Sequence, residues 1–327
     1  MADTDITSGR SFWRTPMRFF ITGASGWIGS AVVPELVEAG HRVVGLARSD
    51  ASTAALLAAG AEVRRGTIDD LDVLRSAAAD SDGVIHLAFK HDLAFSGGFE
   101  AAAEADRLAI ETFGEALAGS DRPFTIASGV IGLSPGRLAT EADGLADEPS
   151  VTALTGGPEQ RRRNALATLA LADRGVRSSV LRFAPTVHGD GDHGFLAALI
   201  TVAREKGVSG YVGDGANRWP AVHRSDAAQL VRMAVEQSPA GSTLHAVAEE
   251  GVPIREVAEA IGRRLGLPAV SVPPAEAAAH FGWLGAFIGA DSPASSALTR
   301  ELTGWKPTGP GLVEDLEQGH YFRAGSA

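Results

Sequence analysis

From Met17 onward, short apolar runs alternate with stretches whose apolar residues recur at every third or fourth position. Arg18-Phe19-Phe20-Ile21 runs into Thr22-Gly23, the pattern of a strand buried on both faces. Ile28, Val32, Val33, Leu36 and Val37 then fall at helical spacing, and Gly40 ends that helix. Further strands are predicted over Arg42 to Ala47, Ala61 to Arg65, Gly83 to Leu87, Phe124 to Ala127 and Ser179 to Phe183. Helices fall between them, over Ala51 to Ala59, to Ala79 from a cap at Asp69 or Asp70, about Glu100 to Leu117, and about Pro158 to Asp173. Strands that alternate with helices in this way require a parallel sheet with right-handed crossovers, covered on both faces. The expected fold is therefore α/β, a Rossmann-type doubly wound sheet.

Beyond Phe183 the rhythm loosens. A Gly-rich stretch from His188 to Gly194 precedes a helix ending near Lys206, and another helix starts about Ser225. Thr243 to Val247 reads as a strand, Pro253 to Leu265 as a helix, and a Pro-rich, partly helical tail follows. We expect a flexible lead-in over 1–16 and a nucleotide-binding domain over 17–183, to which about 220–247 return. A smaller substrate-binding or lid region would occupy 184–327, because ligands sit beyond the carboxyl ends of such strands.

Composition narrows the partners. The 327 residues carry a net charge of −11, which argues against a nucleic-acid partner, since a phosphate backbone needs a clustered cationic face. Arg161-Arg162-Arg163 is the only dense basic run and is too short to reverse that. Cysteine is absent, so disulfides and thiolate metal sites are excluded. No apolar run approaches a membrane span, and Met1 to Pro16 lack the apolar core of a secretion signal, so the expected compartment is the cytoplasm. A small-molecule substrate is the expected partner, and a homodimer is left open.

The first candidate chemistry is Gly23-Ala24-Ser25-Gly26-Trp27-Ile28-Gly29, set between the first strand and the first helix. Glycines there let the backbone turn tightly and approach a pyrophosphate, whose charge meets the helix's N-terminal amides. A Gly-rich turn can be mere punctuation, but the strand–helix context favours a dinucleotide. The second strand ends in Arg48-Ser49, about 20 residues on, where an NAD site needs a carboxylate and an NADP site a cation. NADP(H) is the expected cofactor, the bland alternative being a solvated Arg48.

Four stretches occur in the order seen in extended short-chain dehydrogenases/reductases: Thr22 through Gly29, Gly66-Thr67-Ile68-Asp69-Asp70, His86-Leu87-Ala88, and Leu181 through Gly189. Ala221-Val222-His223-Arg224-Ser225-Asp226 resembles the "V-H-x-x-D" signature of the NAD(P)-dependent epimerase/dehydratase group, and Gly304-Trp305-Lys306-Pro307 its "G-W-x-P". The resemblance implies that Thr22, Gly23, Ser25, Gly26, Trp27, Ile28 and Gly29 hold the cofactor, with Ile68 flanking the adenine. It implies that Leu87, Ala88 and Phe89 line the ribose and nicotinamide, that Pro185, Thr186 and Val187 back the nicotinamide ring, and that Ser128 is the catalytic hydroxyl. The bland alternative for Ser128 is a hydroxyl that satisfies a strand-end amide.

One departure matters. The family's catalytic Tyr-x-x-x-Lys should open the helix after Ser128, yet the only tyrosines are Tyr211 and Tyr321 and the only lysines Lys90, Lys206 and Lys306. Counting back from Arg182 puts Gly156 or Gly157 at the tyrosine and Gln160 or Arg161 at the lysine. Other groups must then move the proton, with Lys90 after the fourth strand and His188 after the sixth as candidates. The run from His188 to His193 is read as a turn into a helix in preference to a metal site, and Trp219 and His223 as structural. The chain reads as an NADP(H)-dependent oxidoreductase acting on a small to medium carbonyl, enone or imine-like substrate. The alternatives are an NADP(H) sensor or scaffold without turnover, and a non-redox isomerase or lyase.

Overall fold

The computed structural model describes residues 15–145 and 157–323. Most of the expected lead-in lies outside these residues. The buried apolar runs form strands β1 (Arg18–Thr22), β2 (Arg42–Ala47), β3 (Glu62–Arg65), β4 (Gly83–His86), β5 (Pro123–Gly129) and β6 (Arg177–Phe183). The chain then adds β7 (Thr186–His188), β8 (Ser209–Val212), β9 (Arg218–His223), β10 (Ser242–Ala246), β11 (Glu249–Pro253) and β12 (Ala269–Val272). The amphipathic stretches form α1 (Gly29–Glu38), α2 (Asp50–Ala58), α3 (Leu71–Ala79), a short α4 (His91–Leu93), α5 (Phe99–Leu117) and α6 (Gly157–Ala170). They continue with α7 (Phe195–Lys206), α8 (Arg224–Gln237), α9 (Ile254–Leu265), α10 (Ala277–Phe281), α11 (Ala297–Thr303) and α12 (Leu312–Glu317).

A seven-stranded sheet in the order β10-β6-β5-β4-β1-β2-β3 is parallel throughout. Alternation within a strand decides which layer each side chain enters. On β1, Phe19 and Ile21 pack with α1 and α8, while Phe20 faces the opposite core with α3, α5 and α6. Strand order reverses between β1 and β4, and the carboxyl ends there form the crevice where ligands of such sheets bind.

The C-terminal part is smaller. β11, β9 and β7 form one sheet and β12 pairs with β8, over a core drawn from α7, α9, α10 and α12. Two motif ends meet at Asp226 on α8. Its carboxylate accepts the backbone N–H groups of Thr308 and Gly309 at 2.9 Å each, and its carbonyl accepts the fully enclosed Trp305 indole at 3.0 Å. The aspartate of one signature thus ties down the loop that carries the other.

One expected cap is corrected. Neither Asp69 nor Asp70 caps α3 through its side chain: Asp70 accepts the Thr67 N–H at 2.7 Å instead, and Asp69 pairs with Lys90. A carboxylate at that turn finds a nearer amide behind it than in the helix ahead.

Candidate functional site

Each glycine of the β1–α1 turn has a different reason to be one. Gly23 has φ +70°, and a Cβ there would lie 2.7 Å from the Ala88 nitrogen. A Cβ on Gly29 would meet the Gly23 carbonyl oxygen at 2.1 Å, so only glycine lets helix and turn pack this closely. Gly26 is exposed and its Cβ would meet only that same oxygen, at 3.2 Å. Nothing in the protein's own packing demands glycine at Gly26, which leaves open space over the helix N-terminus for an approaching ligand. These residues fit a dinucleotide cradle, and exposed Ser25 stands beside it.

Three side chains fix this turn in place. Thr22, fully buried, shares a 2.6 Å hydrogen bond with His86 and accepts the Ala88 N–H at 3.3 Å, so it joins the ends of β1 and β4. Trp27 donates its indole N–H to the Val187 carbonyl at 2.8 Å. The Arg224 guanidinium lies 4.3 Å above the Trp27 ring and donates to Ser30 at 3.0 Å. Ile28 packs at the edge of the α1 core, and Pro185 is half-buried beyond β6.

At the end of β2, Arg48 is exposed and makes no hydrogen bond or ion pair with any described residue. The neighbouring carboxylate, Asp50, pairs with Arg65 at 3.2 Å. Ser49 caps α2 through a reciprocal bond with Ser52, so its side chain is engaged. Ile68 is buried beneath Leu46 and the α3 core. Half-buried Leu87, Ala88 and Phe89 follow β4.

Ser128, half-buried near the end of β5, donates to no strand-end group among the described residues. Lys90 sits at the crevice mouth with both carboxylate oxygens of Asp69 at 2.7 Å. His188 is fully enclosed; its Nδ1 meets Asp315 at 2.9 Å, and its Nε2 meets no partner among the described residues. Beside it, Asp192 caps the turn into α7 by accepting the Gly194 N–H at 2.7 Å. Trp219 donates to the Ala290 carbonyl, and His223 caps α8.

Neither tyrosine reaches the crevice between β1 and β5. Tyr211 belongs to the C-terminal core under Arg255. Tyr321 accepts the Gly189 N–H and donates to Asp192, and burial next to that carboxylate pushes its phenol above the ordinary range. Gly156 lies outside the described residues, and Gly157 is the first residue of α6.

The surroundings of one group escaped the sequence reading. Arg161, one turn into α6, lies over Phe89 with 4.0 Å from guanidinium carbon to ring centre, and among the described residues it donates only to the Ala127 carbonyl, at 3.5 Å. In sequence it belongs to the basic run Arg161-Arg162-Arg163 and is one of the two positions counted back to the lysine; neither feature tells that its side chain comes to rest on Phe89. Gly157-x-x-x-Arg161 has the spacing of the family's missing pair.

The family model for the NAD dependent epimerase/dehydratase family matches residues 19–100. An uncharacterized protein of Schizosaccharomyces pombe is 48% identical over 94% of this chain and 100% of its own length. Another, from Saccharomyces cerevisiae, is 42% identical over 92% of this chain and 98% of its own. Among solved structures, UDP-glucose 4-epimerase of Thermotoga maritima with UDP-glucose superposes with a TM-score of 0.72 at 19% identity, covering 94% of this chain and 98% of that one. A dTDP-glucose 4,6-dehydratase of Streptomyces venezuelae with NAD bound gives 0.70 at 19%, with the same coverages of 94% and 98%. These two likenesses concern the fold; residues 19–100, which carry the glycine turn, match the NAD dependent epimerase/dehydratase family, and the chain as a whole has the Rossmann-type fold of those neighbours.

Proposed function

We propose that this chain is an NADP(H)-dependent oxidoreductase acting on a small to medium carbonyl, enone or imine-like substrate, without the Tyr/Lys acid usual in its family. The observation that carries the cofactor half is Arg48, an exposed cation with no described partner at the end of β2, where the carboxylate two positions on, Asp50, is engaged by Arg65. Gly23, Gly26 and Gly29 would hold the pyrophosphate against the start of α1, with the Arg224 cation nearby favouring its charge. When bound, the cofactor supplies the hydride donor or acceptor; the rest falls to the chain's own groups.

Ser128 orients the reacting oxygen or nitrogen, its hydroxyl being uncommitted to any described residue. Lys90 and His188 are the proposed proton donors, Lys90 from the mouth and His188 through Nε2. A substrate that is already an iminium, or one whose oxygen takes its proton from water through Ser128, needs no strong acid of the protein. The region from 184 onward would close over the substrate, and the lack of cysteine suits a reducing cytoplasm.

The test is NADPH oxidation, followed by nicotinamide absorbance, over a panel of carbonyls, enones and imines. Consumption of NADPH with any class supports the reading. Product without a change in absorbance would instead mark an isomerase or lyase, and no reaction across the panel with intact NADPH binding would mark a sensor.

A further inference from the structure

We propose that Arg161 is an anion anchor, and that the substrate of the crevice is an apolar or aromatic carboxylate. The proposal deepens the oxidoreductase reading by naming the substrate class of the same site, and it rests on that reading for the site's use.

Arg161 is half-buried, and enclosing part of a guanidinium is costly unless it is paired. Arg161 has no ion pair among the described residues: its Nε is enclosed without a partner, and its Nη2 meets only the Ala127 carbonyl at the long distance of 3.5 Å. The one carboxylate that acts on it electrostatically, Asp106, is committed elsewhere. Its oxygens meet His86 at 3.2 Å and Asn164 at 2.8 Å. The cation is therefore built in, its Nε enclosed, and left without a counter-ion among the described residues. Its neighbour across Phe89 does not share the charge, because crowding and the Arg161 cation hold His91 down to about 4. At neutral pH Arg161 is then the charged member of the Phe89 stack, with His91 neutral beside it. A planar fork of this kind matches a carboxylate through two parallel hydrogen bonds.

The surroundings state the rest of the ligand. Phe89 leads by ring contacts to His91 at 5.1 Å, His91 to Phe95 at 5.8 Å, and Phe95 to Trp283 at 5.1 Å. Trp283 in turn meets Phe195 of α7 at 5.4 Å. Phe95 and Trp283 remain 48% and 47% exposed, although they are large aromatic side chains in contact with each other. An aromatic wall thus runs from the half-buried cation out to the C-terminal region, with its outer rings still wet. A ligand with a carboxylate at one end and a flat apolar body satisfies both features at once.

Benzoate and its neutral isostere benzamide are the probes, titrated calorimetrically into the full-length protein with and without NADP. Benzoate should bind at least tenfold more tightly than benzamide. Arg161→Met should erase that difference while leaving NADPH affinity within about twofold. Because the variant removes an uncompensated cation, its melting temperature without ligand should match or exceed that of the unmodified protein, and benzoate should raise only the latter. Phe95→Ala should weaken both probes alike. Equal affinity for acid and amide, binding of neither, or an acid preference that survives Arg161→Met would overturn the anchor. Should NADPH itself fail to bind, the oxidoreductase reading falls, and the acid preference of the cofactor-free protein still decides this proposal.

Discussion

The indole N–H of Trp27 donates to the carbonyl of Val187 at 2.8 Å, joining the glycine turn after β1 to the strand after β6 across 160 positions of sequence. The two residues stand on opposite sides of the sheet's switch point. The bond therefore sets how far the turn proposed to hold the pyrophosphate lies from the segment proposed to back the nicotinamide. Trp27→Phe keeps the ring under Arg224 and removes only the donor, leaving the Val187 carbonyl without it. We expect a loss of about 1 kcal/mol in stability and a several-fold weaker NADPH affinity. Denaturant melts and fluorescence titration check both, and an unchanged affinity would mean that the cradle does not depend on this tie.

Gly26 and Gly29 separate a binding role from a folding role. A Cβ at Gly26 meets a single atom at 3.2 Å, so Gly26→Val should fold with near-native circular dichroism and fail to bind either cofactor. A Cβ at Gly29 falls 2.1 Å from a backbone oxygen, so Gly29→Ala should lose the fold or most of its stability. A Gly26→Val protein with unaltered NADPH affinity would reduce the turn to punctuation.

The proton donor is tested by paired substitutions. A positioned acid contributes roughly 10²–10⁴-fold, so replacing the true donor should lower kcat by that factor and spare NADPH affinity. Lys90→Met breaks only an ion pair at the crevice mouth and should leave stability almost unchanged. His188→Phe strands the buried Asp315 carboxylate, so its melting temperature must be measured beside its kcat. Full turnover in both variants would remove both residues from the mechanism.

Acid stability should report His245. Its ring is fully enclosed, shares a 2.8 Å bond with the Ser295 carbonyl through Nδ1 and has the Arg182 guanidinium at 3.4 Å from Nε2. Burial, helped by Arg182, holds its pKa down to about 4, against an ordinary value near 6.5. A depressed histidine pKa means that the unfolded chain takes up the proton first. Stability is then complete above the unfolded pKa and falls as pH drops from about 6.5 to about 4, by on the order of 3 kcal/mol at most. Melting curves across that window should slope, and His245→Gln should flatten them. Identical slopes in both proteins would assign the acid sensitivity to other groups.

Much of this was legible from residue order alone. Strands buried on both faces announce themselves as continuous apolar runs, and a Gly-rich stretch between strand and helix marks a tight turn, so β1 to β6 and the turn from Gly23 to Gly29 could be located by number. The three-residue β7 escaped because so short a strand has no period to read, and it is stabilised by pairing with β9 some 35 positions away. Arg161 was countable as a candidate for the lysine position, but its setting was not. Its distinction is the absence of an ion pair among the described residues, which depends on where Asp106, His86 and Asn164 come to rest and has no counterpart in spacing. Tyr321 likewise reveals its fate only once Gly189 and Asp192 are found beside it.

The most direct test of the account is a comparison of NADPH and NADH binding to the unmodified protein and to Arg48→Ala. A charge-assisted contact to the 2′-phosphate is worth roughly 1.5–3 kcal/mol, or about tenfold to a hundredfold in affinity. The account predicts that the unmodified protein prefers NADPH by about that factor, and that Arg48→Ala loses the preference while NADH affinity stays unchanged. Equal affinity for the two cofactors in the unmodified protein, or a preference that survives Arg48→Ala, would contradict it.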